Sequence, residues 1–79
     1  MGSKYPLLKP VEIIRVLKHF GFIFKSQKGS HAKYIKIENN KVVNTVIIPL
    51  HNIIARGTLQ SILEQASISI DNFLDKLNK

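Results

Sequence analysis

Cysteine is absent from the 79-residue chain, which excludes a disulfide staple and a thiolate metal site. Acidic residues are few: Glu12, Glu38, Glu64, Asp71 and Asp75 are the only five, and they are scattered along the chain. Two-metal nucleases hold their ions with clustered carboxylates, so no metal site is expected. Asp71 and Asp75 stand four apart, with no histidine near them in sequence, and read as a solvated helix face. Glycine is sparse at four residues, and neither a glycine-rich phosphate loop nor a nucleophile elbow is present. No segment approaches the roughly 20 consecutive apolar residues of a membrane span, and the opening residues lack the apolar stretch of a secretion signal. The expectation is a cytoplasmic protein that uses no cofactor and binds no membrane.

What is present is positive charge on a foldable chain. Hydrophobic residues make up 44%, enough to argue against disorder. The length allows one domain, spanning residues 1–79, with residues 1–8 expected to be loosely ordered. Twelve Lys and Arg against five acids give a formal charge of +7, with a pI near 10.0. Such a field attracts polyanions. The charge is concentrated mid-chain, where Lys25, Lys28, Lys33, Lys36 and Lys41 are opposed only by Glu38. The partner classes this favours are nucleic acid and, less so, an acidic protein.

Hydrophobic spacing divides the chain into six elements. From Pro10 to Phe20, Ile13, Ile14, Leu17 and Phe20 recur at helical spacing. Pro10 suits the first helical position, and Gly21 suits the left-handed residue that ends a helix. Phe22–Ser26, Ala32–Glu38 and Val42–Ile48 read as strands. The last two are joined by a tight turn at Asn39-Asn40, which tolerates positive φ and would set Glu38 opposite Lys41 and Ile37 opposite Val42. Neither face of that hairpin is cleanly apolar in this register, so the hairpin is better determined than its faces. Gly57-Thr58 opens a second helix carrying Leu59, Ile62, Leu63 and Ala66. Ser69 is a natural N-cap for a third, with Ile70, Phe73, Leu74 and Leu77 as its buried stripe. The predicted fold is α+β: helix, three-stranded antiparallel sheet, helix, and an extra C-terminal helix. Helices cover one sheet face, because three strands alone bury too little, and the other face is left for a ligand.

Three histidines are the remaining chemical candidates. His19 closes a helix and reads as a dipole-stabilised terminal residue. His51, after Pro49-Leu50, is either a second acid or base or a plain loop residue, the latter favoured. His31 stands in Lys28-Gly29-Ser30-His31-Ala32-Lys33, at the mouth of a strand after a glycine turn. RNA scission needs no metal if a base removes the ribose 2′-OH proton, and an imidazole with an ordinary pKa of about 6.5 suits that transfer. Lys25, Lys28 and Lys33 could offset charge on the phosphoryl oxygens. Ser30, with the Gly29 and Ser30 amides, could hydrogen-bond a phosphate, since glycine permits close backbone approach. On these residues alone, a glycine turn bearing a surface histidine is an equally good description. A non-catalytic RNA-binding module and a domain that binds only an acidic protein are the competing functions.

Four motifs in order add to this. Ile13, Leu17 and Gly21-Phe22, then Gly29-Ser30-His31, then Ile48-Pro49 with His51, then Gly57–Ala66 resemble the HicA (YcfA-like) family of toxin ribonucleases over about Val11 to Phe73. The resemblance implies a fold like the double-stranded-RNA-binding domain and cleavage of messenger RNA with His31 as catalytic residue. It also implies a cognate HicB-type antitoxin that blocks that site. One departure stands out. Many members carry a second histidine directly after the catalytic one, and Ala32 occupies that position here, leaving His51 as the candidate second imidazole.

Overall fold

The computed structural model describes residues 4–79, and Met1, Gly2 and Ser3 lie outside the described residues. The chain runs α1 (Pro10–His19), β1 (Ile23–Lys28), β2 (His31–Glu38), β3 (Lys41–Pro49), α2 (Arg56–Ala66) and α3 (Ile70–Leu77), with the strands in the order β1-β2-β3 and antiparallel throughout. This is the predicted α+β order, and it is consistent with the topology of a double-stranded-RNA-binding domain.

Each helix begins and ends where local chemistry dictates. Pro10 takes the first position of α1, and the Glu12 carboxylate accepts a 2.8 Å hydrogen bond from the Lys9 amide. That bond satisfies one donor left over at the helix start. The buried face is Ile13, Val16 and Leu17, with Ile14 and Phe20 at its flank. Val16 thus joins the expected stripe and rotates it slightly. Gly21 ends α1 at φ +93, where an L side chain would be strained. Ser67 closes α2 in the left-handed region, and the Ser69 hydroxyl accepts from the Asn72 amide at 3.1 Å to cap α3. Of the segment 1–8 expected to be loosely ordered, Leu8 is buried and forms an isolated bridge with Ile54.

The core lies between the helices and one face of the sheet. Ala32 and Tyr34 of β2 point into it, opposite Ile48 and Val46 of β3. They meet Ile13, Val16 and Leu17 from α1, Leu59, Ile62 and Leu63 from α2, and Phe73 from α3. Burying each large aliphatic or aromatic side chain contributes about 1.5–3 kcal/mol. The alternate residues of β2, His31 and Lys33, therefore stand on the uncovered face.

Two bulges set which residues share that face. Asn39 and Asn40 both have positive φ, at 52 and 65, which a two-residue primed turn requires. Glu38 stands opposite Lys41 and Ile37 opposite Val42, as the sequence predicts. An unbroken ladder from there would put Val46 and Ile48 on the open side. The register instead skips Val43, so that Lys36 meets Asn44 and Tyr34 meets Val46, which returns the apolar residues to the core. A second skip occurs in β1 at Lys25, between the pairs Phe24–Tyr34 and Ser26–Lys33.

The outer edge of β3 is sealed by the end of α2. The Ile47 amide donates to Gln65 Oε1, and Asn44 Nδ2 donates to the Gln65 carbonyl, each at 3.1 Å. The outer edge of β1 carries Lys25 and Lys28, charges that discourage edge-to-edge pairing.

Candidate functional site

His31 is the first residue of β2, and its position is fixed from both sides. On one side, Gly29 opens the two-residue connection from β1 at φ +57. The open space around Gly29 shows that this glycine is required for its backbone angle and not for a close approach within the chain. On the other side, the Ser30 carbonyl accepts a 2.7 Å hydrogen bond from the Leu50 amide, tying the turn to the exit of β3. Gln27 Nε2 adds a 3.0 Å bond to the Gly29 carbonyl. The imidazole is thus carried by a braced strand end while its ring remains exposed.

The sheet register supplies its neighbours. Lys28 stands directly opposite His31 on β1. Lys33, two residues along β2 and on the same face, stands between Ser26 of β1 and Ile47 of β3. Directly opposed residues carry their Cβ atoms about 4.5–5.5 Å apart, so these side chains converge. Ser26, Lys28, His31, Lys33 and Ile47 line one concavity of about 490 Å³. It contains one imidazole, two ammonium groups and one hydroxyl over an aliphatic wall. The nearest acid along β2, Glu38, lies at the far end of the strand and pairs with Lys36 at 3.7 Å. Among the described residues neither lysine is ion-paired, which makes the concavity a natural seat for an anion.

The other sequence candidates sit elsewhere. Lys25 is the bulged residue of β1, and Gly29 and Ser30 form the turn; all three adjoin the concavity without lining it. His51 is exposed, its Nδ1 lies 3.2 Å from Asn52 Nδ2, and it lines a separate hollow with Pro49, Asn52 and Ile53. His19 lies with Arg15 and Lys18 on α1. Ala32 is buried opposite Ile48. Because side chains alternate along a strand, a residue at 32 points away from the His31 concavity, and the departure at that position removes no group from it. Ser26 and Ile47 are the two lining residues that sequence reading missed.

A larger hollow, about 740 Å³, is on the helix side, walled by Val11, Ile14, Tyr34, Leu50 and Ile53. It contains no histidine and no carboxylate. Among the described residues, no three His, Cys, Asp or Glu side chains are grouped so as to hold a metal ion. No helix there is long and apolar enough to cross a membrane.

Comparison with protein families identifies the chain's family. Residues 11–68, from the second residue of α1 to just beyond α2, match the model of the HicA toxin of bacterial toxin–antitoxin systems. The chain belongs to the HicA toxin family. The match covers well over half the sequence and contains every residue lining the His31 concavity, while α3 lies outside it. Against proteins of curated function the chain has no match. Membership of the HicA family makes this chain the toxin of a toxin–antitoxin pair and implies an antitoxin partner.

Proposed function

We propose that this HicA-family toxin is an endoribonuclease that cleaves messenger RNA in the cytoplasm without a metal, with His31 as its catalytic residue. One observation supports the reading above all: an exposed imidazole on the uncovered sheet face, directly across from Lys28 and two residues along β2 from Lys33. The His31 ring takes the proton of a ribose 2′-OH as O2′ bonds to the adjacent phosphorus. The P–O5′ bond breaks, and the leaving 5′ oxygen takes a proton from water, which the open concavity admits. The products are a 2′,3′-cyclic phosphate and a 5′-hydroxyl. Lys28 and Lys33 balance the charge that builds on the non-bridging oxygens. A HicB-type antitoxin neutralises the toxin by covering this same face.

RNA incubated with the parent protein and excess EDTA is expected to give these products. His31→Ala is expected to slow cleavage by about 10²–10⁴-fold at an unchanged melting temperature, because an exposed ring contributes little to folding. Equal cleavage by parent and variant, with contaminating nuclease excluded, would remove His31 from the chemistry. RNA binding by the parent without any cleavage would leave a non-catalytic RNA-binding module.

A further inference from the structure

The bulge in β1 has a consequence for the substrate contacts. Phe24 shares the side of its partner Tyr34, and its half-exposed ring meets Tyr34 edge-on with centroids 5.7 Å apart. In an unbroken strand Ser26 and Lys28 would share its side, since residues two apart face the same way. Skipping Lys25 reverses the phase, so Ser26 stands opposite Lys33 and Lys28 opposite His31, both on the uncovered face. One extra residue therefore lets β1 contribute an aromatic ring to the Tyr34 side and two polar groups to the site. Bulges recur beside active sites, where they re-aim a side chain in this way. Ser26 is diagonal to His31, at a backbone separation of about 7–8 Å, which one phosphodiester group can span. Its hydroxyl makes no hydrogen bond to the described residues, and it lines the concavity with the two lysines.

We infer that Ser26 is a substrate-contacting residue whose hydroxyl donates a hydrogen bond to a non-bridging oxygen of the phosphate that His31 and its flanking lysines address. This rests on the ribonuclease reading for its kinetics, but the phosphate contact can also be measured by binding alone. A neutral donor differs from the lysines in a specific respect. It adds affinity and transition-state stabilisation without releasing a counterion, so its removal leaves the salt dependence of binding intact.

The test uses cleavable RNA for rates and the same sequence fully 2′-O-methylated for binding. Ser26→Ala is expected to lower kcat by about tenfold and to raise KM several-fold, and the pH profile keeps its shape. Ser26→Thr, which keeps the hydroxyl, restores most of the rate. On 2′-O-methyl RNA, Ser26→Ala binds several-fold more weakly with an unchanged salt slope, whereas Lys28→Ala lowers the slope by about 0.7. Thr45→Ala, a hydroxyl on the same face opposite Ile35, changes neither readout. Parental rate and parental binding in Ser26→Ala overturn the inference, as does equal weakening in Thr45→Ala. If the parent fails to cleave RNA, the ribonuclease reading fails, and the 2′-O-methyl binding series still decides for or against the Ser26 contact.

Discussion

The central strand and its two neighbours solve the same problem differently. β2 keeps its register without interruption: His31, Lys33 and Ile37 stand exposed on one side, with Ile35 on that side only 7% exposed, and Ala32, Tyr34 and Lys36 turn toward the helices. β1 and β3 each carry one residue outside the pairing, Lys25 and Val43, so that the halves before and after it follow opposite phases. The uncovered face is consequently divided. Its His31 end collects Ser26, Lys28 and Lys33, while its hairpin end pairs Ile23 with Ile35 and Ile37 with Val42. An uninterrupted strand fixes the frame, and single extra residues in its neighbours adjust what each face receives. The reactive end and the apolar end thus arise from one sheet without any change in the order of its strands.

If β2 fixes the frame, removing a residue from it should do the most damage. Deleting Lys33 forces either Ala32 or Tyr34 out of the core face and turns His31 or Ile35 toward it. The expected cost is several kcal/mol, on the order of the whole stability of a domain this small. The measurable outcome is loss of dispersed amide signals and of a cooperative thermal transition. A folded, cooperatively melting deletion variant would show that β2 is not the reference strand. A smaller break comes from the adjacent residues Ile47 and Ile48 of β3. Ile48 is completely buried opposite Ala32, whereas Ile47 is 38% exposed beside Lys33. Ile48→Ala is expected to cost about 2–5 kcal/mol by urea denaturation, and Ile47→Ala well under half of that. Equal losses would mean that the uncovered face is packed in solution.

Much of this arrangement is legible in the residues. Asn39-Asn40 announces a primed turn because asparagine tolerates the positive φ that both positions adopt. Pro10, Gly21 and Ser69 punctuate the helices for equally local reasons. That Lys28 and His31 face each other follows once Gly29-Ser30 is taken as a two-residue connection. The bulges are not legible, because Lys25 and Val43 are ordinary strand residues and neither is a glycine or proline that would mark an interruption. Their only trace is a conflict of phase. Phe24 and Ser26 cannot both be on their proper faces in a regular strand, and neither can Ile37 and Val46 when paired across the Asn39-Asn40 turn. The ambiguity in the hairpin faces is that conflict, and the face of Ser26 depends on resolving its counterpart in β1.

The mildest prediction is also the most specific. Val43 has no partner, and the pairs on either side of it, Lys36 with Asn44 and Ile37 with Val42, are adjacent in register. Deleting Val43 therefore joins the two halves of β3 into a continuous ladder in which every native pair survives. Tyr34 keeps Val46, Ala32 keeps Ile48, and His31 keeps its place beside Lys28. The variant loses only a half-exposed valine and the local twist that a bulge imposes. A change in stability of about 1 kcal/mol or less is expected, with RNA cleavage preserved. Deletions within strands are ordinarily severe, since they exchange the two faces, so tolerance at this one position would be hard to explain in any other register. Unfolding of the Val43 deletion to the extent expected for Lys33 would mean that the bulge holds the sheet together and not merely its phase.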